Sequence, residues 1–510
     1  MKDINPNLFK EKKIDRELSY KILDQVNEQE ANHSIGGTTD SFVFPVIDGV
    51  QVVDGSDAIA VSVSTDEAKL RLQKFDPDLE LGDFVDTSAE TITIGRDELE
   101  EIGIRLLPYI AYGVLNGGSA TSYVDTKKNS SFYPPLFEII SDEFDQLASL
   151  SENRPKGLSP AYINPDGTPG CSYMELKMRA LLSLELLYHE KTGKTCQIPM
   201  FQMTSDGTES QLLEAYDQYR NSAYLTDLIE RTGHDITRVT SKKQPLIAAM
   251  TPASHGLPRD LFTQAHGKQE NLLPLPGGHG QNFLVLKDIY TQLYRDGKRL
   301  AYLVNVDNIG NTPSPVYIAI TALTGCDGSF EFSYKSPIDI KGGVLLKQDK
   351  SRQLTCRDIG VGISREDVAS AEQEGKPILF NCATGLFNLE YLDRHLERII
   401  KELPLRVSEQ NKDAGRYAQA EQVTWEIIDL MEHPTIIAVE KQERFLAAKL
   451  LSESIMTTRA SEFAPKLLEK RSEYQQFCDV SIKLETGFNR LMRDVYRMEL
   501  NHDRWETKRE

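Results

Sequence analysis

The carboxylate of Asp307 ends an apolar run, Tyr302-Leu303-Val304-Asn305-Val306-Asp307-Asn308, and stands between two amides. A carboxylate in that setting can hold a Mg²⁺ ion carried in on a phosphate, because Mg²⁺ keeps most of its water and takes only one or two carboxylates. The same residue types also form turns, since Asp and Asn bond their own backbone. A second candidate is His279 in Pro276-Gly277-Gly278-His279-Gly280, where the glycines give an imidazole little to pack against. Such a ring suits contact with a bound group, or capping of a helix starting near Asn282. A third is Leu115-Asn116-Gly117-Gly118, whose double glycine lets backbone N–H groups approach a phosphate or base edge. It is neither G-x-G-x-x-G nor a Walker A loop, so dinucleotide and P-loop readings are not supported. Candidate cations for an anionic ligand are Lys156 in Arg154-Pro155-Lys156-Gly157, Lys341 in Asp339-Ile340-Lys341-Gly342-Gly343, and Lys449 after Arg444-Phe445-Leu446. A Ser/His hydrolase is disfavoured: Ser254-His255 is the adjacent pair, and there is no G-x-S-x-G elbow.

These residues need strands to carry them. Short apolar runs rich in Val, Leu and Tyr suit a sheet covered on both faces, and 111–115, 197–203, 245–250, 301–304, 329–333 and 378–381 read as such strands. Helical patterns intervene at 98–110, 173–188, 209–229, 284–295 and 389–403. Strand alternating with helix predicts an α/β fold with a doubly wound, mostly parallel sheet, which binds ligands at the carboxyl ends of its strands. Asn305 and Asp307 fall at such an end, and Asn381 closes the 378–381 strand. Residues 125–153 read as a polar, looped insertion, and residues 443–449 place a basic residue at each end of an apolar step. The expected organisation is an N-terminal accessory α+β region over 1–105, a catalytic domain over 106–450 and a helical C-terminal region over 451–510.

A chain of 510 residues exceeds one ordinary core. Its net charge of −19 argues against a general nucleic-acid binder, since a phosphate backbone rewards a basic face. No apolar run is long enough to span a bilayer, and the start is charged rather than signal-like, so a cytoplasmic protein is expected. The six cysteines are scattered without a C-x-x-C pair and read as reduced, packed thiols.

Taken together, the motifs resemble the UDP-sugar pyrophosphorylase family, the eukaryotic-type UTP:glucose-1-phosphate uridylyltransferases and their UDP-N-acetylglucosamine relatives. Leu115 to Gly118 is similar to the family's L-N-G-G, Pro155-Lys156 to its P-K, and Pro276 to Gly280 to its P-P-G-H-G. Asn305 to Asn308 is similar to its N-x-D-N, Asp339 to Gly343 to its D-V-K-G-G, Phe380-Asn381 to the start of F-N-T-N-N, and Arg444 to Lys449 to R-F-L-P-V-K. The resemblance implies a GT-A-like nucleotidyltransferase core that joins UTP to a sugar 1-phosphate with Mg²⁺ as cofactor, glucose 1-phosphate favoured over N-acetylglucosamine 1-phosphate. It implies Leu115, Asn116, Gly117, Gly118, Gly278, Asn305 and Asp307 as nucleotide-binding, with Asp307 on the metal. Lys156 and Lys449 would be catalytic, Lys156 also touching the nucleotide, while His279, Lys341, Gly343 and Asn381 hold the sugar phosphate. No nucleic acid or membrane partner is expected, and the chain would be a monomer or small homo-oligomer. Two departures stand out. Ser119-Ala120-Thr121 replaces the family's L-G-T, bringing a Cβ toward the phosphate, and Cys382-Ala383-Thr384 follows Phe380-Asn381. The first favours a rival reading, a non-catalytic relative that binds a nucleotide, a sugar phosphate or a partner protein.

Overall fold

The computed structural model describes residues 4–36, 41–56 and 58–508. Its centre is one mixed sheet whose main path contains β1 (Val52–Asp54), β2 (Ile110–Leu115), β3 (Met200–Thr204), β4 (Thr240–Lys243), β5 (Leu300–Asn305), β6 (Gly328–Tyr334), β7 (Leu379–Asn388) and β8 (Pro434–Val439). The spatial order is β1-β8-β6-β7-β5-β2-β3-β4. Every neighbouring pair on this path is parallel except the two made by β7, which runs antiparallel to both β5 and β6. The carboxyl ends of all the other strands therefore share one edge.

Alternation along the strands explains why both faces are covered. Ile110, Tyr112, Val114, Leu300, Tyr302 and Val304 enter one apolar cluster, while Ala111, Leu115, Ala301 and Leu303 enter another on the opposite face. Successive side chains of a strand point to opposite faces, so an all-apolar strand demands two cores. On the first face lie α1 (Arg96–Leu106), α2 (Thr126–Phe132), α3 (Pro134–Ser149), α4 (Tyr173–Thr192), α5 (Pro315–Thr324), α6 (Leu451–Thr458) and α7 (Gln475–Asp494). The helix Leu389–Glu402 covers the second.

Several sequence expectations change here. Residues 125–153 are the helices α2 and α3 rather than a loop, because Leu136, Ile140, Phe144 and Leu147 form a buried stripe at helical spacing. The 209–229 helix is broken, with Glu209–Tyr219 and Thr226–Thr232 as separate helices. The apolar run at 245–250 yields Leu246–Ala248, which pairs with Pro274–Pro276 in a small sheet of its own. The strand through Phe380 does not stop at Asn381 but continues to Asn388, passing an irregularity where Ala383 takes a φ of 53°.

The core is continuous across the expected boundaries. Val61 and Ile94 join the same cluster as Tyr112 and Val304, and β1 hydrogen-bonds to β8 at the sheet edge. Ile455, Phe463, Phe488 and Trp505 join that cluster from beyond residue 450, where α7 is followed by the hairpin Met498–Asn501 and Arg504–Thr507.

Candidate active site

A cavity of about 760 Å³ opens at the shared strand edge, and it gathers His279, Asn305, Asp307, Lys341, Gly343, Asn381 and Lys449 from distant parts of the sequence. Asp307 stands just past β5. Its neighbour Asn308 explains how Lys449 comes to face it. The Asn308 side chain is buried, accepting the Gly310 and Leu446 N–H groups at 2.9 Å each and donating to the Arg444 carbonyl at 3.0 Å. The Ala448 N–H donates to the Asp307 carbonyl at 3.0 Å. The amide after the carboxylate is thus a clamp that fastens the 444–448 segment to the end of β5. Arg444 is consumed by structure, forming a buried ion pair with Glu331 at 2.7 Å.

Two buried lysines, Lys156 and Lys177, bear on Asp307, and a third, Lys449, lines the same cavity. Lys449 is exposed on the cavity wall, its backbone N–H bonded to Glu453 at 2.6 Å. Lys156 is buried outside the lining, its ammonium 3.2 Å from the centre of the Tyr123 ring and 4.9 Å from that of Tyr173. No hydrogen-bond partner reaches the Lys156 Nζ among the described residues. Burial pushes its pKa down to about 7, opposed by the nearby charges of Asp307 and Glu453. Lys177, on α4, was invisible in the sequence because it lies within a helical apolar pattern. It is buried, donates to the Asn308 carbonyl at 3.0 Å, and is likewise lowered to about 7 by burial against the pull of Asp307. Burial raises the pKa of the Glu453 carboxyl, which accepts the Lys449 and Leu450 N–H groups of the turn before α6.

His279 lies on the cavity wall and is held by Thr424, whose N–H donates to Nδ1 at 3.1 Å. Nδ1 being the acceptor, Nε2 carries the proton of the neutral ring. Burial, with Lys449 and Arg406 adding to it, lowers the ring's pKa to about 4, so it is neutral at physiological pH. Gly278 has a φ of 82°, and a Cβ there would stand 2.3 Å from the Gln422 carbonyl oxygen, so the loop demands glycine. The Gly278 carbonyl accepts from Gln244 at 2.7 Å.

The Leu115 to Gly118 loop does not line the cavity, but register places it beside it, since Leu115 pairs with Asn305. The Asn116 side chain faces inward, donating to Gln202 at 3.0 Å and to the Tyr216 hydroxyl at 3.3 Å. The loop therefore offers a ligand its backbone. Gly118 has open space where a Cβ would stand. Lys156 returns to the loop after the α2–α3 excursion, its N–H donating to the Gly118 carbonyl at 2.9 Å. Ala120, the residue expected to obstruct a phosphate, is buried in the core and donates its N–H to the Arg154 carbonyl at 3.0 Å. Its Cβ packs inward, away from the open side of the loop.

Opposite, Lys341 is exposed on the rim, whereas Asp339 is taken by a buried ion pair with Lys441 at 2.6 Å. Asn381 accepts the Ala383 N–H at 2.8 Å, a bond that shapes the irregular part of β7. A Cβ on Gly343 would stand 2.7 Å from the Cys356 Sγ. Among the described residues no group of three or more His, Cys, Asp or Glu side chains could hold a metal by itself. The donor set fits a hard cation bound through Asp307 and completed by substrate phosphates and water, the arrangement Mg²⁺ favours.

The sequence profile of the family described as UTP–glucose-1-phosphate uridylyltransferase matches residues 169–502, well over half of the chain. The match includes Gly278 to Lys449 and leaves Leu115 to Gly118 and Lys156 outside. Among solved structures, the uridine diphosphate N-acetylglucosamine pyrophosphorylase of Trypanosoma brucei is similar with a TM-score of 0.53 and 13% identity, covering 79% of this chain and 79% of that one. An Entamoeba histolytica protein described as a UDP-N-acetylglucosamine pyrophosphorylase gives 0.52 and 16%, covering 73% and 86%. A mutant UDP-glucose pyrophosphorylase of Leishmania major gives 0.50 and 17%, covering 70% and 67%. No curated protein matches the chain. At such identities the likeness to solved structures speaks for the fold.

Proposed function

The chain belongs to the UTP–glucose-1-phosphate uridylyltransferase family, and from that premise we propose that it joins UTP to a sugar 1-phosphate, glucose 1-phosphate or a substituted relative, releasing pyrophosphate. The observation that carries this reading is the convergence of Asp307, Lys449, His279 and Asn381 on one cavity at the carboxyl edge of the sheet. A sugar phosphate oxygen attacks the α-phosphorus of UTP and the bond to the β,γ-pyrophosphate breaks. The nucleophile is already ionised, so no protein nucleophile is required. The protein's work is to align two anions and offset their repulsion.

Lys449 stands on the wall for the transferring phosphates. Lys156 lies near Asp307 with no hydrogen-bond partner for its ammonium among the described residues, and arriving phosphates would complete its charge. His279, neutral and protonated on Nε2, offers a donor that pairs with a phosphate or hydroxyl oxygen without adding charge. Backbone of the Asn116 to Gly118 loop receives the uracil and ribose. Asp307 would hold Mg²⁺, which when bound supplies charge neutralisation at the phosphate oxygens. The inward packing of Ala120 removes the steric ground for reading the chain as a non-catalytic binder. Preference for glucose 1-phosphate over N-acetylglucosamine 1-phosphate rests on the Pro276 to Gly280 and Asn116 to Gly118 motifs. The test is pyrophosphate release from UTP with each sugar 1-phosphate in turn. Release that needs both UTP and a sugar 1-phosphate is expected, and binding of UTP without release under any partner would contradict it.

A further inference from the structure

The cavity does not end at the residues discussed so far. Its lining also takes in Lys449, just before α6, and Glu453 and Met456, which stand three residues apart on one face of that helix. It then reaches a wall made by Phe132 and Tyr133, at the junction of α2 and α3, and by Phe477, Val480 and Leu484 on α7. The wall is organised: the Tyr133 and Phe477 rings stack at 3.7 Å between centres and 7° between planes. Phe132 and Tyr133 belong to the 125–153 excursion, outside the span matched by the family profile. Among the described residues, the polar side chains of this far end are the Tyr133 hydroxyl, Thr457 and Gln476, and none that line it carries a positive charge.

That composition decides what can occupy it. Pyrophosphate or a second phosphate would lose its hydration and gain no cation there, a cost of several kcal/mol by the usual penalty for burying charge. The uracil has its own place at the backbone of the Asn116 to Gly118 loop, which does not line the cavity. A neutral apolar group gains from the same surface, and it must be attached to something anchored at Asp307 and Lys449. Resting on the uridylyltransferase reading, we infer that the sugar 1-phosphate used by this chain carries an apolar substituent, an acyl chain longer than acetyl, which lies along α6 against Tyr133 and Phe477. The sugar phosphate is held at the polar end, and the chain extends into the apolar end.

The full-length protein is assayed for pyrophosphate release from UTP and Mg²⁺ with glucose 1-phosphate and with glucosamine 1-phosphates N-acylated by acetyl, butanoyl and hexanoyl groups. Each added methylene should raise kcat/KM about fourfold, the factor that corresponds to ~0.8 kcal/mol per buried methylene. Val480→Asp, at a half-buried position on the wall, should flatten that rise. A wild-type series that is flat or falling with chain length overturns the inference, even if unsubstituted glucose 1-phosphate turns over well. If no sugar phosphate turns over, the uridylyltransferase reading fails instead. Calorimetric binding of the same compounds then reads the far end directly: affinity rising with chain length upholds it, and equal affinities overturn it.

Discussion

The two ends of the cavity are built by different means. At the polar end, side chains are fixed by hydrogen bonds to turns that follow strands, as when Asn308 fastens the Leu446 segment to β5 and Thr424 fixes the His279 ring. At the apolar end, position comes from packing of helix faces, as in the stacked Tyr133 and Phe477 rings. The polar end is fixed by hydrogen bonds at particular points, several of which converge on Asn308. The apolar end depends on the mutual burial of α2, α3 and α7. The first arrangement suits groups that meet reacting atoms, where small displacements are costly. The second suits a surface that only excludes water.

The sharpest way to break this contrast is Asp307→Asn. If the polar end is the reaction centre, activity should fall by roughly 10³-fold or more, beyond the usual cost of one charge-stabilising group. The thermal midpoint should fall far less than activity does, because the clamp's bonds belong to Asn308 and to the Asp307 carbonyl and only the attraction of the carboxylate for buried Lys156 and Lys177 is lost. An equally active Asn variant would remove the metal from Asp307. Next in size, Lys156→Ala and Lys449→Ala should each cost roughly 10²-fold in rate. Lys449→Ala should leave the melt almost unchanged because its side chain is exposed.

A pH profile sharpens the distinction between those two lysines. The Lys156 ammonium, lowered to about 7 by burial, loses its proton as pH rises, so kcat/KM for UTP should fall by up to about tenfold per pH unit above 7. Lys156→Arg, which stays charged, should abolish that fall. Stability runs the opposite way. With the folded-state pKa of Lys156 and Lys177 below that of an unfolded lysine, the unfolded chain binds more protons above pH 7. Stability should therefore rise with pH from about 7 toward the ordinary lysine range. The smallest effect is expected from Lys127→Ala and Lys128→Ala, exposed on α2, where Lys128 bonds only Ser122 at 2.7 Å beyond its cap. Rates within about twofold of wild type are expected, as for surface charges generally. Loss of turnover there would move the phosphate-binding lysine into the excursion.

The same contrast explains what could be read from the sequence. The polar end was legible because a strand-end turn needs particular residue types: Asn308 after Asp307, glycine at 278 and 343. Even there, the inward side chain of Asn116 and the core packing of Ala120 could not be told from ligand-facing positions, because a motif fixes order and not direction. Strands that bury both faces were evident from their unbroken apolar runs. The apolar end was not legible. Leu136, Ile140 and Phe144 have the spacing of any core helix, and the many polar residues between them concealed the stripe. Lys177 was missed for a related reason, since a lysine in a helix ordinarily points to water and only the fold shows that this one is buried against the Asn308 carbonyl.

A crystal structure of the protein with UTP and Mg²⁺ tests the central claim most directly, because it locates the reacting phosphorus. The account predicts uracil over the backbone of Asn116 to Gly118, and the α-phosphate between Asp307 and Lys449 with the metal on Asp307. A nucleotide bound elsewhere, or one whose phosphates point away from Asp307, would contradict it.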